Sequence, residues 1–238
     1  IRSYYMPPTL AEQERDIPTT PKDFYYTDAI ASKAVESIHA FGRDPFFLYA
    51  AFTAPHWPLH ALEEDIRKFE KRYEAGWDAI RAARLAKQQK LGLRMAAAPR
   101  APEVEPWSAA ADKPWHVRRM AVYAAMVHRL DKAIGRIVAA LREAGQLENT
   151  LIVFASDNGG CAEEMSAHMS PEEKRSKKMP ERTRDGRPIR YGNLPAIPPG
   201  AEDTYQSYSA NWAHVSNTPF RRFKHWVHEG GIASPMIL

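Results

Sequence analysis

Two short and wholly apolar runs constrain the fold more than any other feature of this 238-residue chain. Residues 46–52 (FFLYAAF) and 151–155 (LIVFA) lack the polar–apolar alternation of a half-exposed strand. Runs of this kind predict strands buried on both faces, as in a parallel sheet. Both are far shorter than the roughly 18 apolar residues that a membrane-spanning helix needs, so the sequence predicts no such span.

Helical patterns separate the two runs. One predicted helix ends at Gly42, a second helical region covers residues 63–90 and is divided by Gly76, and the clearest helix covers residues 117–144. In the last, apolar residues recur every three or four positions, which is the spacing of a buried helix face. Helices that alternate with short strands predict an α/β fold.

Two other segments show neither the helical spacing nor the alternation of a strand. Residues 92–115 are rich in Ala and Pro and contain isolated Trp, and residues 166–200 are polar with many Pro and Gly. We expect both to be long surface excursions.

The positive charge of the chain is concentrated in one place. The net charge is +4, and residues 171–190 contain eight basic and four acidic residues, so the rest is balanced. Because no aromatic residue interleaves with these charges, they predict a solvated loop and no nucleic-acid site.

Asp157 and Asn158 follow the second apolar run directly and precede two glycines. A carboxylate and an amide oxygen suit a hard cation such as Ca²⁺, and ligands of α/β proteins collect beyond the carboxyl ends of strands. The alternative is an ordinary Asp-Asn-Gly turn, in which both side chains serve the backbone.

His56 follows the first run and lies between Pro55 and Pro58, which restrict the backbone around it. An imidazole held in this way can contact an anion or donate a proton to a leaving group. A structural histidine in a rigid loop is the alternative.

Lys224 belongs to a segment in which cations alternate with aromatic residues, and its ammonium group suits the oxygens of phosphate or sulfate. The alternative is an exposed basic strand.

Cys161 is the one cysteine, so the chain has no internal disulfide or multi-cysteine zinc site. Two nearby acids raise its expected pKa, which favours a packed or incidental thiol over a nucleophile.

The order of these motifs is more specific than any one of them. Residues 45–49 (PFFLY), 53–58 (TAPHWP), 153–160 (VFASDNGG) and the Lys224 segment ending at 229–231 (EGG) resemble a type I arylsulfatase. That family belongs to the alkaline phosphatase-like superfamily. The resemblance covers nearly the whole chain, so residues 1–238 are expected to be part of a sulfatase catalytic domain, a sandwich with a mostly parallel central sheet flanked by helices.

The resemblance implies hydrolysis of sulfate esters by a formylglycine nucleophile beside one bound Ca²⁺. By position, Asp157 and Asn158 correspond to two calcium ligands. His56 corresponds to the histidine that contacts the sulfate and assists the departing alcohol oxygen, and Lys224 to a lysine that bridges sulfate oxygens. The expected substrate is a sulfated small molecule or glycan.

Some motifs of the family do not occur in this sequence. The Cys-x-Pro-Ser-Arg nucleophile motif, a pair of N-terminal aspartates and a further lysine–histidine segment are absent. We therefore expect a fragment that is inactive alone and lacks the nucleophile region and the C-terminal subdomain. Localisation cannot be read from the chain, although the resemblance implies a periplasmic, lysosomal or secreted protein.

Two alternatives remain open at this point. One is a phosphodiesterase or phosphonate monoester hydrolase of the same superfamily, which would use similar metal and oxyanion groups. The other is a non-catalytic, sulfatase-like binding domain.

Overall fold

Helices and short strands alternate along the chain, in a computed structural model that describes residues 2–93, 96 and 98–238. The α-helices are α1 (Tyr26–Phe41), α2 (Glu63–Ile66), α3 (Gly76–Lys90), α4 (Lys113–Glu143), α5 (Pro171–Ser176), α6 (Ser209–Ser216) and α7 (Glu229–Ile232). The strands are β1 (Leu10–Glu12), β2 (Arg15–Ile17), β3 (Phe154–Ala155), β4 (Arg190–Tyr191), β5 (Thr204–Tyr205) and β6 (Met236–Ile237). The α/β class predicted from the sequence is confirmed.

The strands pair into three small sheets within the described residues. β1 pairs with β2 and β3 with β6, both antiparallel, whereas β4 and β5 are parallel with Arg190 opposite Thr204. The predicted parallel sheet is thus represented in this part of the chain by β4 and β5, and the fold is incomplete as the sequence suggested.

The predicted burial of the first apolar run was wrong. Residues 46–52 form no strand, and Phe47 and Tyr49 are 90% and 80% exposed. Phe46 and Leu48 pack against a small cluster around Ile38. One side of the run therefore faces α1 and α4, whereas no described residue covers the other side, so burial is one-sided.

The second run differs from its prediction in the same way. Only Phe154–Ala155 is a strand, and its partner β6 is antiparallel. Leu151 is 81% exposed and Val153 is 53% exposed. An apolar run shows that a segment can be buried, but burial also needs a second layer, which the described residues do not supply here.

The helix predictions are confirmed. α1 ends at Phe41 with Gly42 as its C-cap, α3 begins at Gly76, and α4 covers most of the predicted 117–144. α1 and α2 both pack against α4. The guanidinium of Arg129 on α4 holds them electrostatically, 2.7 Å from Asp28 of α1 and 3.0 Å from the buried Asp65 of α2.

The main core lies between α4 and the tryptophans of α3 and α6, Trp77 and Trp212, which are almost fully buried. Residues 98–112 contain one three-residue 3₁₀ helix, and α4 begins at Lys113. Ala101 and Val104 are buried in this core, so the segment is not purely a surface excursion. Arg94, Met95 and Ala97 of the expected excursion 92–115 lie outside the described residues.

The other expected excursion, residues 166–200, contains α5 and β4 and is mostly exposed, although Met179 and Tyr191 are buried.

Among the described residues, none of the helices has the length and apolar character that crossing a membrane requires.

Candidate active site

The four predicted site residues lie in three loops. Asp157 and Asn158 follow β3, His56 lies in the turn that follows residues 46–52, and Lys224 lies between α6 and α7. Asp157 is exposed, and the other three residues are partly buried. What brings the loops together is the packing of their backbones.

Two glycine pairs hold the Asp157 loop against the Lys224 segment. The Gly159 N–H donates a hydrogen bond to the Gly231 carbonyl at 3.0 Å. A Cβ atom on Gly159 would lie only 1.8 Å from the Gly230 carbonyl oxygen, and one on Gly230 would lie 2.2 Å from that of Arg222. The two backbones can approach this closely only because neither glycine has a side chain.

Lys224 itself joins this contact through its backbone. Its N–H donates to the Gly160 carbonyl at 3.1 Å, two residues beyond Asn158. Asn217 reinforces the arrangement, since its side-chain oxygen accepts from the Gly160 N–H at 2.8 Å and its amide nitrogen donates to the Arg222 carbonyl at 3.0 Å. The sequence reasoning missed Asn217, whose role depends on a tertiary contact.

His56 has a fixed ring orientation. Its Nδ1 lies 2.7 Å from the Trp57 carbonyl oxygen, which can only accept, so Nδ1 carries a proton and Nε2 is left for other partners. The Tyr4 hydroxyl lies 2.8 and 2.9 Å from the carbonyls of Thr53 and His56, and so ties this turn to the core.

Glu163 connects the His56 turn to the Lys224 segment. Its carboxylate accepts a hydrogen bond from the Trp57 indole N–H at 2.7 Å and lies 2.7 Å from His225 Nε2. Burial opposes the charged form, but hydrogen bonds from His225, Cys161 and Trp57 and the charge of Lys224 outweigh it and lower the pKa of Glu163. Glu163 is a site residue that the sequence analysis considered only as a neighbour of Cys161.

His56 and Lys224 share one electrostatic environment. Burial lowers the pKa of His56, the hydrogen bond to Trp57 opposes this shift, and the positive charge of Lys224 adds to it. His56 is therefore mostly neutral at pH 7, with a lone pair on Nε2.

Asp157 and Asn158 have the right chemistry for a metal site but are too few to form one. Ca²⁺ takes six to eight oxygen ligands, and this pair supplies one carboxylate and one amide oxygen. The described residues contain no group of three or more His, Cys, Asp or Glu side chains that could hold a metal ion. The pair thus fits part of a hard-cation site, whose other ligands would come from elsewhere.

Cys161 is a partly buried free thiol. Burial raises its pKa, a hydrogen bond with the Glu163 backbone opposes this shift, and the Glu163 carboxylate adds to it. The geometry therefore agrees with the sequence interpretation of a packed thiol.

The fold and this loop cluster can be compared with known proteins. Residues 2–238 match the Sulfatase family, so the chain belongs to the sulfatase family of proteins.

Two curated relatives extend over most of the chain. It is 33% identical over 224 residues to an uncharacterized sulfatase of Schizosaccharomyces pombe, covering 91% of this chain and 38% of that protein. It is 32% identical over 230 residues to an arylsulfatase of Klebsiella aerogenes, covering 92% of this chain and 45% of that protein. The chain thus spans less than half the length of these relatives.

Among solved structures, this chain is similar to the crystal structure of Ps i-CgsB in complex with k-i-k-neocarrahexaose. The similar region covers 94% of this chain and 29% of the Ps i-CgsB chain. The sequence identity is 24% and the TM-score is 0.47.

Proposed function

We propose that the protein containing this chain hydrolyses sulfate esters at a site that includes His56 and Lys224. The observation that carries the proposal is the shared environment of the His56 imidazole and the Lys224 ammonium, beside the Asp157–Asn158 loop. Membership of the sulfatase family and the similarity to an arylsulfatase support sulfate over other esters.

In this proposal Lys224 binds sulfate oxygens. An ammonium group placed beforehand stabilises the negative charge that accumulates on them in the transition state. His56 contacts the ester through Nε2, because Nδ1 is engaged by the Trp57 carbonyl. When Nε2 carries a proton, it can donate that proton to the departing alcohol oxygen, which would otherwise leave as a costly alkoxide.

We further propose that Asp157 and Asn158 contribute two oxygens to a divalent cation, with Ca²⁺ expected from the hard donor set. Such a cation, when bound, offsets the negative charge of the sulfate group. The formylglycine nucleophile implied by the resemblance would lie outside residues 1–238, because Cys161 is followed by Ala162 and Glu163 and not by the family motif.

The test is hydrolysis of 4-nitrophenyl sulfate by the complete gene product. We expect His56→Ala to lower kcat by about 10²–10⁴-fold and Lys224→Ala by about 10²–10³-fold. The matched control is His168→Ala, since His168 is an exposed histidine outside the site. Wild-type activity in His56→Ala would overturn the proposal.

Varying the substrate in the same experiment distinguishes a sulfatase from a phosphodiesterase and from a non-catalytic binding domain. A sulfate ester and a phosphodiester with the same leaving group are compared by kcat/KM. A preference for the phosphodiester would replace the sulfatase proposal, and turnover of neither substrate would favour a non-catalytic binding domain.

A further inference from the structure

The basic segment 171–190, which the sequence presents as a solvated loop, folds back beside the His56 turn. α5 ends at Ser176, and Lys177 and Lys178 follow it. Their side chains line one cavity of about 380 Å³ together with Arg2 and Thr53. The loop therefore contributes positive charge to the neighbourhood of the proposed site.

The position of this segment is fixed by packing. Met179 is buried in a cluster with Tyr191 and Tyr205, and Trp57 packs against the same cluster. The Lys174 ammonium lies 4.9 Å from the centre of the Tyr191 ring. Trp57, which adjoins His56, and the residues after α5 thus pack against one cluster. This packing holds Lys177 and Lys178 in a defined position relative to the His56 turn.

The cavity is suited to an anion with an organic framework. Three of its lining side chains, Arg2, Lys177 and Lys178, are cationic, and no acidic side chain of the described residues lines it. Pro7 and Tyr26 add apolar ring surfaces to the same wall. The Lys177 ammonium is 4.0 Å from Glu173, at the limit of an ion pair.

The backbone at Lys178 is unusual for a lysine. Its φ is +49°, in the left-handed region that favours glycine, directly after the end of α5. A non-glycine residue in this region costs free energy, and such residues are concentrated at functional sites and ligand clamps. Glycine here would relieve the cost but would remove one of the three cations.

The cavity wall is continuous with the proposed site. Thr53 lines the cavity, and its carbonyl accepts a hydrogen bond from the His56 N–H at 3.0 Å. The cavity and the proposed site therefore share the His56 turn, with Thr53 on the cavity side and His56 three residues further along the chain.

We infer that this cavity, with Arg2, Lys177 and Lys178, is a subsite for a second anionic group of a polyanionic substrate. The second group is a further sulfate or a carboxylate of a sulfated glycan. The inference rests on the proposed function for the reaction at His56 and Lys224. It narrows the expected substrate from any sulfated small molecule or glycan to polyanionic carbohydrates.

Binding of sucrose octasulfate to the complete gene product, measured by calorimetry at low salt, tests the inference. We expect the double variant Lys177→Gln/Lys178→Gln to bind about fivefold or more weakly, because each exposed ion pair contributes modestly. The matched control is Lys87→Gln/Lys90→Gln, which removes the same charge from the exposed surface of α3 and should change affinity by less than about twofold. Neutral sucrose serves as the ligand control.

Two results would overturn the inference. Equal weakening in both double variants would show diffuse attraction to the positive chain, and no weakening in Lys177→Gln/Lys178→Gln would show that the cavity is not the binding site. A third measurement is hydrolysis of 4-nitrophenyl sulfate by the complete gene product, which the cavity variant should leave unchanged. A loss there would assign the lysines to the reaction centre instead of a subsite.

Failure of the proposed function remains distinguishable from failure of the inference. If the complete gene product hydrolyses no sulfate ester, the proposed reaction is wrong. The calorimetric comparison of the two double variants still decides whether the cavity binds polyanions.

Discussion

The Trp57 indole N–H donates a hydrogen bond to the Glu163 carboxylate at 2.7 Å, and this contact joins two loops that are more than a hundred residues apart. Trp57 adjoins His56, and the other carboxylate oxygen of Glu163 lies 2.7 Å from His225, which adjoins Lys224. One carboxylate therefore joins the residue that follows each of the two proposed reaction groups.

This relationship predicts energetic coupling between Trp57 and Glu163. In a double-mutant cycle with Trp57→Phe and Glu163→Gln, we expect the free energies of unfolding to be non-additive by about 1 kcal/mol, because the hydrogen bond involves a charged acceptor. Chemical denaturation of the four proteins measures it. Pairing Trp57→Phe with Glu172→Gln, an exposed acid on α5, should give additive changes. Additivity in both cycles would show that the bridge contributes nothing.

The glycine contact predicts a steric penalty at Gly159. Gly159→Ala would place its Cβ against the Gly230 carbonyl, so we expect a loss of about 1–3 kcal/mol in the free energy of unfolding. The control is Gly135→Ala in α4, where a Cβ meets nothing within 4 Å and the helix should gain about 0.5–1 kcal/mol. Equal effects of the two substitutions on the denaturation midpoint would contradict the close approach.

Because His60 is buried, we predict that the free energy of unfolding decreases in mild acid. Burial lowers the pKa of His60 to about 4, against the hydrogen bond to the Thr204 carbonyl, whereas the unfolded chain protonates near 6.5. The unfolded state therefore binds more protons between these values, so stability is full above pH 6.5 and falls as pH drops toward 4. The group contributes up to about 3 kcal/mol.

Urea denaturation at several pH values measures this dependence. His60→Gln should flatten part of the decline between pH 6.5 and 4, whereas His168→Gln, at an exposed position, should not. His116 and His214 also have pKa values lowered to about 4, mainly by burial, so some decline remains in either variant. An unchanged slope in His60→Gln would exclude the assigned role.

The sequence predicted those elements whose formation is governed locally. The helical spacing of residues 117–144 and the break at Gly76 depend on nearby residues, and the structure confirms both. Phe47 and Leu151 depend on a covering layer instead, so their apolar character alone led to a wrong prediction of burial. Local patterns cannot show whether a second layer exists.

The candidate site shows the same division. The residue types and the order of the motifs pointed to His56 and Lys224, but nothing local indicated that Glu163 would connect them or that Asn217 would fasten the glycine contact. Both roles arise from pairings across more than fifty residues. The role of Asp157 and Asn158 as metal ligands stays a prediction.

The titration of His56, followed by NMR in the wild-type chain and in Lys224→Met, tests the central claim most directly. The wild-type midpoint should lie below 6.5, and it should rise in Lys224→Met, because removing a nearby positive charge makes protonation of the imidazole easier. Lys87→Met, at an exposed position on α3, should leave the midpoint unchanged. If Lys224→Met shifts the His56 midpoint no more than Lys87→Met does, the two groups do not share a site and the account is wrong.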